Sequence, residues 1–229
     1  MVRSVPRLLS TGVSLIVVGI GVAACGHTQA PANVSPRTSA AQAATLAIEQ
    51  ARADSARHRF TPADVDFVTG MIHHHTQAVL IAGWAPTHGA SPSLQALCAR
   101  IQVGQRDEIR FMQNWLADRH QTVPDADTSH FMMPGMSDMM PSMPGMLTYD
   151  QLVELNQASG TDFDRLFLSD MIQHHKGAIT MVEQLFATNG ALQDDVVFKL
   201  ASDIHADQVT EIGRMSAMLD ALPSGGTHP

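Results

Sequence analysis

The sequence predicts an all-α protein in which two similar helical hairpins pack as a four-helix bundle. Apolar residues recur every three or four positions in four long segments between Phe60 and Leu222, which is the spacing of a buried helix face. No segment shows the sustained apolar–polar alternation that is typical of a strand. The two halves of this region also repeat each other, and two such hairpins bury their apolar faces most simply against one another.

The first 24 residues have the pattern of a lipoprotein signal peptide. Arg3 and Arg7 precede an apolar run from 8 to 22, which is short for a membrane span. The following Val22-Ala23-Ala24-Cys25 resembles the bacterial lipobox, whose cysteine becomes the lipidated N-terminus. We therefore expect an exported protein that Cys25 anchors on the outer side of the cytoplasmic membrane; an ordinary signal peptide cut nearby and an uncut short anchor are the alternatives.

The region from 25 to 59 is expected to be the lipidated cysteine and a tether. Residues 26–40 are rich in Pro, Ser, Thr, Gln and Ala and offer almost no large apolar side chain for burial. Residues 41–59 are rich in alanine, so this part of the tether is expected to be helical. The bundle domain is expected from 60 to 222, followed by a flexible tail from 223 to 229.

The first hairpin has clear helix start and stop signals. Thr61 and Pro62 are typical of a helix N-terminus, and this helix is expected to reach about Ala85. Ser91-Pro92 opens a second helix that is expected to end near Arg119. Residues 121–147 contain prolines and glycines throughout and are expected to form a loop.

The second hairpin follows a short helix. Thr148 is expected to cap that short helix, which ends at Gly160. Thr161 is expected to cap a long helix that reaches about Asn189, and the last helix is expected from 191 to 222.

The two hairpins carry one repeated motif. Asp-x-x-Phe-x-x-x-Met-Ile-x-His-His begins at Asp64 and again at Asp164, an offset of 100 residues. The second helices of the hairpins also align, at an offset of 103 residues, and both contain Gln-x-x-Glu-Ile. Duplication at this length indicates two-fold pseudo-symmetry and not a solenoid of short repeats.

The repeated histidines are predicted to face the interior of the bundle, because they interrupt rows of apolar residues that recur at helical spacing. An unpartnered buried imidazole costs about 1–3 kcal/mol, so these rings need partners. In one interpretation Gln105, Glu108, Gln208 and Glu211 form a structural hydrogen-bond network with the histidines. In the other, those four groups orient histidines that bind a metal. The candidate ligands are then Met71, His74, His75, Met171, His174 and His175.

The loop between the hairpins is rich in methionine: residues 130–146 hold seven of the chain's 14 methionines. Thioethers are soft ligands that favour Cu(I) over zinc or iron, and prolines and glycines keep the segment open enough to surround an ion. A hydrophobic flap over the bundle, or a sticky surface for a partner, is the alternative. The candidate ligands in the loop are Met132, Met133, Met136, Met139, Met140, Met143 and Met146.

The doubled motif and the Met-Pro-Gly-Met linker between its copies resemble the bacterial family known as domain of unknown function 305. The resemblance extends from about Phe60 to Leu222. It implies a ferritin-like four-helix bundle, and some members of that family are periplasmic copper-binding proteins with roles in copper tolerance or trafficking. It also implies a copper role for the six paired His and Met residues. The chain departs from a strict repeat at His73, whose counterpart is Gln173.

The leading functional hypothesis is a copper-binding lipoprotein without catalytic activity that buffers copper, as Cu(I), Cu(II) or both, or passes it to a copper-accepting protein. Zinc is a less suitable ion for this mixed His and Met set. A net charge of −8 argues against nucleic acid as a partner. The alternatives are a metal-dependent redox enzyme and a structural or partner-binding bundle that holds no metal. The sequence contains no H-E-x-x-H motif, phosphate-binding loop or G-x-S-x-G motif.

Overall fold

The computed structural model of the chain describes residues 36–57, 59–134 and 143–223. These parts contain six α-helices and one short 3₁₀ turn at Ser129–Met132, and they contain no strand. The predicted signal peptide, Cys25 and the last residues of the tail lie outside the described residues. The helices are α1 Pro36–Arg57, α2 Pro62–Ala82, α3 Pro92–Asp118, α4 Tyr149–Gln157, α5 Gly160–Phe186 and α6 Asp195–Asp220.

Helix α1 corresponds to the alanine-rich part of the tether. It begins at Pro36, five residues before the expected position. Leu46 and Ile48 are exposed, which agrees with the scarcity of apolar anchors in this segment. Within the described ranges, no helix combines the length and the apolar character that a membrane span requires.

The long helices form two hairpins that pack against each other. Helix α2 packs along α3, α5 packs along α6, and α2 and α5 join the two hairpins. Both hairpins contribute fully buried aromatic and aliphatic side chains, including Phe163, Phe167, Ile72 and Ile101. The predicted all-α bundle of two repeated hairpins is confirmed.

Capping side chains fix where the helices begin. Thr61 and Asp64 form a reciprocal capping box at the start of α2, and Thr148 and Gln151 form another at the start of α4. At the start of α3, the side chain of Ser91 accepts a hydrogen bond from the backbone of Leu94. The sequence signals for these three helix starts are therefore confirmed.

Several helix boundaries differ from the sequence-based expectation. Helix α4 ends at Gln157 and not at Gly160, α5 ends at Phe186 and not near Asn189, and Thr161 lies inside α5 and does not cap it. Helix α2 ends at Ala82 because Gly83 has a low helix propensity and Pro86 cannot donate a backbone hydrogen bond. Helix α5 begins at Gly160, whose φ of 60° makes the sharp turn out of α4. Helix α6 begins at Asp195, because Asp194 caps it by accepting hydrogen bonds from the backbone N–H groups of the next turn.

The two hairpins are tied together by a matched pair of buried carboxylates. Asp64 at the start of α2 accepts a hydrogen bond from the backbone of Leu192, in the turn between α5 and α6, at 2.8 Å. Asp164 near the start of α5 accepts from the backbone of Ser91, in the turn between α2 and α3, at 3.1 Å. Each repeated aspartate thus holds the turn of the opposite hairpin, which fixes how far α2 and α5 slide along one another.

Candidate metal centre

The interface of α2 and α5 brings together His74 and His174. Both side chains are fully buried, and their ring centroids lie 3.8 Å apart with an angle of 43° between the ring planes. They come from equivalent positions of the repeat, so the pseudo-two-fold symmetry places them opposite each other. We call these two residues the central pair.

Most ring nitrogens of the central pair have no hydrogen-bond partner among the described residues. Neither nitrogen of His174 has one, nor has Nδ1 of His74. Nε2 of His74 donates to the carbonyl oxygen of Pro144 at 3.0 Å, so Nδ1 carries the free lone pair of that ring. Buried donors and acceptors are usually paired, so this concentration of unpaired imidazole nitrogen is typical of a site for a ligand.

Burial keeps the central pair uncharged. It lowers the pKa of His74 to about 3, with a further lowering by His75 and a partial offset from the Pro144 hydrogen bond. The pKa of His174 is lowered well below its ordinary value, again mainly by burial and next by the neighbouring His74. Neutral imidazoles keep a lone pair at neutral pH, which is the form that binds a metal ion.

The second histidine of each repeat makes a hydrogen bond with a glutamate of the adjacent helix. His75 Nε2 donates to Glu108 Oε2 at 2.8 Å, and His175 Nε2 donates to Glu211 Oε2 at 2.7 Å. Both imidazoles are fully buried, whereas the glutamate side chains are partly exposed. Burial lowers the pKa of His175, and the hydrogen bond to Glu211 acts in the opposite direction.

These two histidine–glutamate pairs leave Nδ1 as the free nitrogen. Nδ1 of His75 and Nδ1 of His175 have no partner in the described part of the chain. A carboxylate that accepts from one ring nitrogen fixes the tautomer and makes the other nitrogen a better ligand, which is the usual support of a metal-bound histidine. The expected glutamate contacts are thus present in both repeats.

The two glutamines that were expected to join this network do not. Gln105 and Gln208 are buried, and none of the hydrogen bonds within the described residues joins either amide to a histidine. Both atoms of the Gln105 amide and Oε1 of Gln208 lack a partner there. These amides add further unpaired polar groups to the interior of the bundle.

The end of the methionine-rich loop covers the central pair. We call residues 143–147 the covering segment. Gln77 fixes one end, because its side chain donates to the carbonyl of Leu147 at 3.1 Å and accepts from the N–H of the same residue at 2.8 Å. Pro144 lies directly over His74 through the hydrogen bond described above. The covering segment therefore closes the outer side of the α2–α5 interface.

Two glycines allow this close approach. A Cβ at Gly177, in the middle of α5, would lie 2.0 Å from the carbonyl oxygen of Pro144. Gly145 has a φ of 78°, and a Cβ there would lie 2.6 Å from Cα of Gly177. Only glycine at both positions lets the backbone of the covering segment rest on the backbone of α5.

The candidate methionines occupy different environments. Met71 and Met171 are fully buried in the core, Met143 and Met146 are partly buried on either side of Pro144, and Met132 is also partly buried. Met133 is about half exposed. Met136, Met139 and Met140 lie outside the described residues. The covering segment thus brings two thioethers to the same face of the bundle as the central pair.

The donor set fits a soft ion better than a hard one. In the ranges that the structure describes, no three side chains of the His, Cys, Asp and Glu types converge as a ligand group. Thioethers can complete a site that begins with two imidazoles, and the covering segment carries those of Met143 and Met146. Two imidazoles with thioethers suit copper.

Sequence reasoning did not identify the residues that hold the covering segment. Gln77 and Gly177 occupy equivalent positions of the repeat, and neither has chemistry that singles out a site. The available signal was a departure from the repeat. Glutamine in the first copy corresponds to glycine in the second, and glycine is unfavourable inside a helix.

Comparison with known proteins finds solved structures of similar sequence and fold. No curated protein sequence matches the chain. A DUF305 fragment from Deinococcus radiodurans has 28% identity and a TM-score of 0.59, with 71% of this chain and 99% of that chain covered. A putative secreted DUF305 protein from Streptomyces coelicolor has 25% identity and a TM-score of 0.56, with 72% and 98% covered.

CopM has been solved in copper-bound forms. Its Cu(I)-bound form has 27% identity and a TM-score of 0.51, with 71% of this chain and 97% of that chain covered. Its Cu(II)-bound form has 29% identity and the same TM-score of 0.51, with 69% and 95% covered. The family model described as Domain of unknown function (DUF305) matches residues 64–219, and the chain belongs to that family.

Proposed function

We propose that this protein binds copper outside the cytoplasm, without catalysis, and buffers the ion or passes it on. The observation that carries the proposal is the central pair. Two neutral, fully buried imidazoles with three unpaired ring nitrogens lie together beneath a segment that carries two methionines. CopM, a protein of similar sequence and fold, has been solved with Cu(I) and with Cu(II), which supports copper as the ion.

In this proposal His74 and His174 are the nitrogen ligands. Met146 supplies sulfur from the covering segment, and Met132, Met133, Met136, Met139 and Met140 are further candidates in the loop. Imidazole suits Cu(II) and thioether suits Cu(I), so a mixed set tolerates either oxidation state. The further candidates on the helices are His75 and His175, each oriented by its glutamate, and Met71 and Met171, one helical turn from the central pair.

Export and lipidation at Cys25 belong to the same proposal. An anchored copper protein on the outer face of the cytoplasmic membrane would meet incoming copper and could deliver it to a copper-accepting protein. Expression of Cys25→Ser beside the unchanged chain tests the anchor. Mass spectrometry should find a diacylglyceryl group on Cys25 of the unchanged chain, and the variant should be released from the membrane fraction. A variant that stays in the membrane would contradict lipid anchoring through Cys25.

The test of the copper site replaces both imidazoles of the central pair with leucine. The double variant His74→Leu/His174→Leu should bind less Cu(I) in a competition titration with a chromophoric chelator. Its metal-free form should unfold at equal or higher urea concentration, because the unpaired nitrogens that cost about 1–3 kcal/mol each are gone. A structural histidine network predicts the reverse: unchanged copper binding and a less stable protein.

The matched control is His120→Asn. This histidine is exposed and has a positive φ of 55°, which asparagine tolerates. The control should leave copper binding and stability unchanged. If the central-pair variant binds copper with the same number of ions and the same affinity as the unchanged protein, the proposed site is wrong.

A further inference from the structure

A second group of soft ligands lies outside the central pair. Between the first half of α2 and the last half of α5 there is a cavity of about 520 Å³ that is open to solvent, which we call the outer groove. Gly70, His73, Met143, Pro144 and Met181 are among the residues that line it. The covering segment thus forms part of its wall.

Gly70 marks the point where two methionine side chains meet. A Cβ at this position would lie 3.4 Å from Sδ of Met143 and 3.3 Å from Cε of Met181. Glycine is unfavourable inside a helix, and here it leaves open the space between the two thioether ends. The equivalent residue of the other repeat is Asp170, so the feature belongs to one face of the bundle only.

His73 completes the group with an unpaired nitrogen. It lines the same groove, and its buried Nδ1 has no hydrogen-bond partner in the described ranges. The ring of His130 lies 6.4 Å away at 83°, and its buried Nε2 is unpaired in the same ranges. The second repeat has Gln173 in place of His73 and lacks this imidazole.

We propose that the outer groove is a second metal site, for a monovalent soft ion such as Cu(I), held by His73 and by the thioethers of Met143 and Met181. The ligands are neutral, and two of the three are sulfur, which favours Cu(I) over Zn(II) and over hard divalent cations. His130, whose ring lies beside that of His73, is a further candidate ligand.

The outer groove lies next to the central pair. Pro144 lines the groove, and its carbonyl oxygen accepts the hydrogen bond of His74. An ion that binds in the groove is therefore separated from the central pair by the backbone of one residue. The groove receives copper from solvent and the central pair holds it. The transfer of copper from the groove to the central pair rests on the function proposed above, whereas the binding of Cu(I) in the groove does not depend on it.

The experiment counts bound ions in purified variants. Cu(I) is titrated anaerobically against a chromophoric chelator with the unchanged protein, a groove variant and a central-pair variant. The groove variant is Met143→Leu/Met181→Leu, which keeps apolar packing and removes sulfur, and His73→Gln introduces the residue of the other repeat. Each groove variant should lose one ion or bind it more than about tenfold more weakly.

The control is Met218→Leu, because Met218 packs against the opposite end of the core. It should bind as many ions as the unchanged protein. A second measurement follows the side-chain methyl signals of methionine by NMR as Ag(I) is added. The methyl signals of Met143 and Met181 should shift in the unchanged protein and in His74→Leu/His174→Leu.

The results distinguish the two sites. If the groove variants keep the ion count and affinity of the unchanged protein, or if the two methyl signals do not respond to Ag(I), the groove is no metal site. If the central-pair variant keeps every ion while the groove variants lose one, the groove proposal stands and the central site fails. A loss of one ion in each variant, and of two in their combination, supports both.

Discussion

At the scale of single residues, the chemistry of this protein depends on imidazoles that are buried without charge. His74 and His174 lie in a region without counter-charge, so burial lowers their pKa values and most of their nitrogens remain unpaired. His75 and His175 are equally buried, but each has a glutamate partner. Adjacent histidines in the sequence therefore have different roles. The first of each pair has unpaired ring nitrogens, and the second is oriented by a glutamate.

The buried histidines predict that the metal-free protein loses stability in mild acid. The unfolded chain takes up protons near pH 6.5, whereas the folded His74, His174 and His175 resist protonation. Stability is therefore complete above pH 6.5 and falls as the pH drops toward the folded pKa values. Each group that stays neutral contributes about 1.4 kcal/mol of loss per pH unit below 6.5.

Partly buried carboxylates oppose this trend. Burial, with the nearby Glu154, raises the pKa of Asp170 to about 6. This group stabilises the folded state as the pH falls from 6 toward its unfolded value near 3.9. Burial also raises the pKa of Asp207, with a further rise from Glu108 and Glu211, and burial lowers the pKa of His73. Because four imidazoles act against two such carboxyl groups, urea unfolding at pH 7.5, 6.5 and 5.5 should show decreasing free energies of unfolding. The slope should be shallower in His74→Leu/His174→Leu, and an equal slope would contradict the assignment.

The sequence predicted the burial of these histidines but only part of the pairing of their atoms. Helical spacing placed His74 and His75 on inward rows, and both are fully buried. Spacing gives the direction of a side chain to within one helix face, and a hydrogen bond depends on displacements well below that. The glutamate partners were predicted correctly. The absence of Gln105 and Gln208 from the hydrogen-bond network was not predicted, because spacing does not resolve such displacements.

At the scale of elements, the effect of a glycine inside a helix depends on what lies next to it. Gly177 faces the backbone of Pro144 and Gly145, whereas Gly104 in α3 and Gly213 in α6 face open space. Alanine is a better helix former than glycine by about 0.5–1 kcal/mol, so the same substitution should have opposite effects at these positions.

Gly177→Ala should detach the covering segment. The new Cβ would overlap the carbonyl oxygen of Pro144, and because both partners are backbone, the segment has to move away. We expect a lower free energy of unfolding and weaker Cu(I) binding, with α5 still helical by circular dichroism. Hydrogen exchange at the N–H of Leu147, which Gln77 protects in the folded protein, should become faster.

Gly104→Ala and Gly213→Ala are the matched controls. Each should raise the free energy of unfolding by about 0.5–1 kcal/mol and leave Cu(I) binding unchanged. If Gly177→Ala behaves like these two variants, the close approach of the covering segment to α5 does not contribute to the free energy of unfolding or to Cu(I) binding. The loop composition predicted a metal-binding segment, with a flap over the bundle as the alternative. The contact of this segment with α5 comes from a glycine in a distant helix, which no local pattern in the loop reveals.

At the scale of the whole molecule, the fold combines a symmetric frame with an asymmetric surface. The frame is the doubled motif, which places equivalent histidines, glutamates and aspartates in both hairpins. The asymmetry lies on the outer face of α2 and α5. Gly70, His73 and Gln77 of the first repeat correspond to Asp170, Gln173 and Gly177 of the second. The repeat made the bundle predictable, and the departures from it locate the covering segment and the outer groove.

The two repeated aspartates should determine the stability of this frame. Asp64 accepts hydrogen bonds from Leu192 and from Thr61, and Asp164 accepts from Ser91. Asparagine keeps the shape but has one acceptor oxygen and no charge. Because hydrogen bonds to charged groups contribute about 1.5–3 kcal/mol, Asp64→Asn should lower the free energy of unfolding by about 2 kcal/mol.

Asp164→Asn should have a smaller effect, because among the described residues its carboxylate accepts only from the backbone of Ser91. The two aspartates hold different turns and share no partner, so the losses in the double variant should add to within about 0.5 kcal/mol in urea unfolding. Asp66→Asn is the control, since Asp66 is exposed on α2 and a surface substitution changes stability by less than about 0.5 kcal/mol. A double variant no less stable than Asp64→Asn would mean that one tie is enough to hold the hairpins in register.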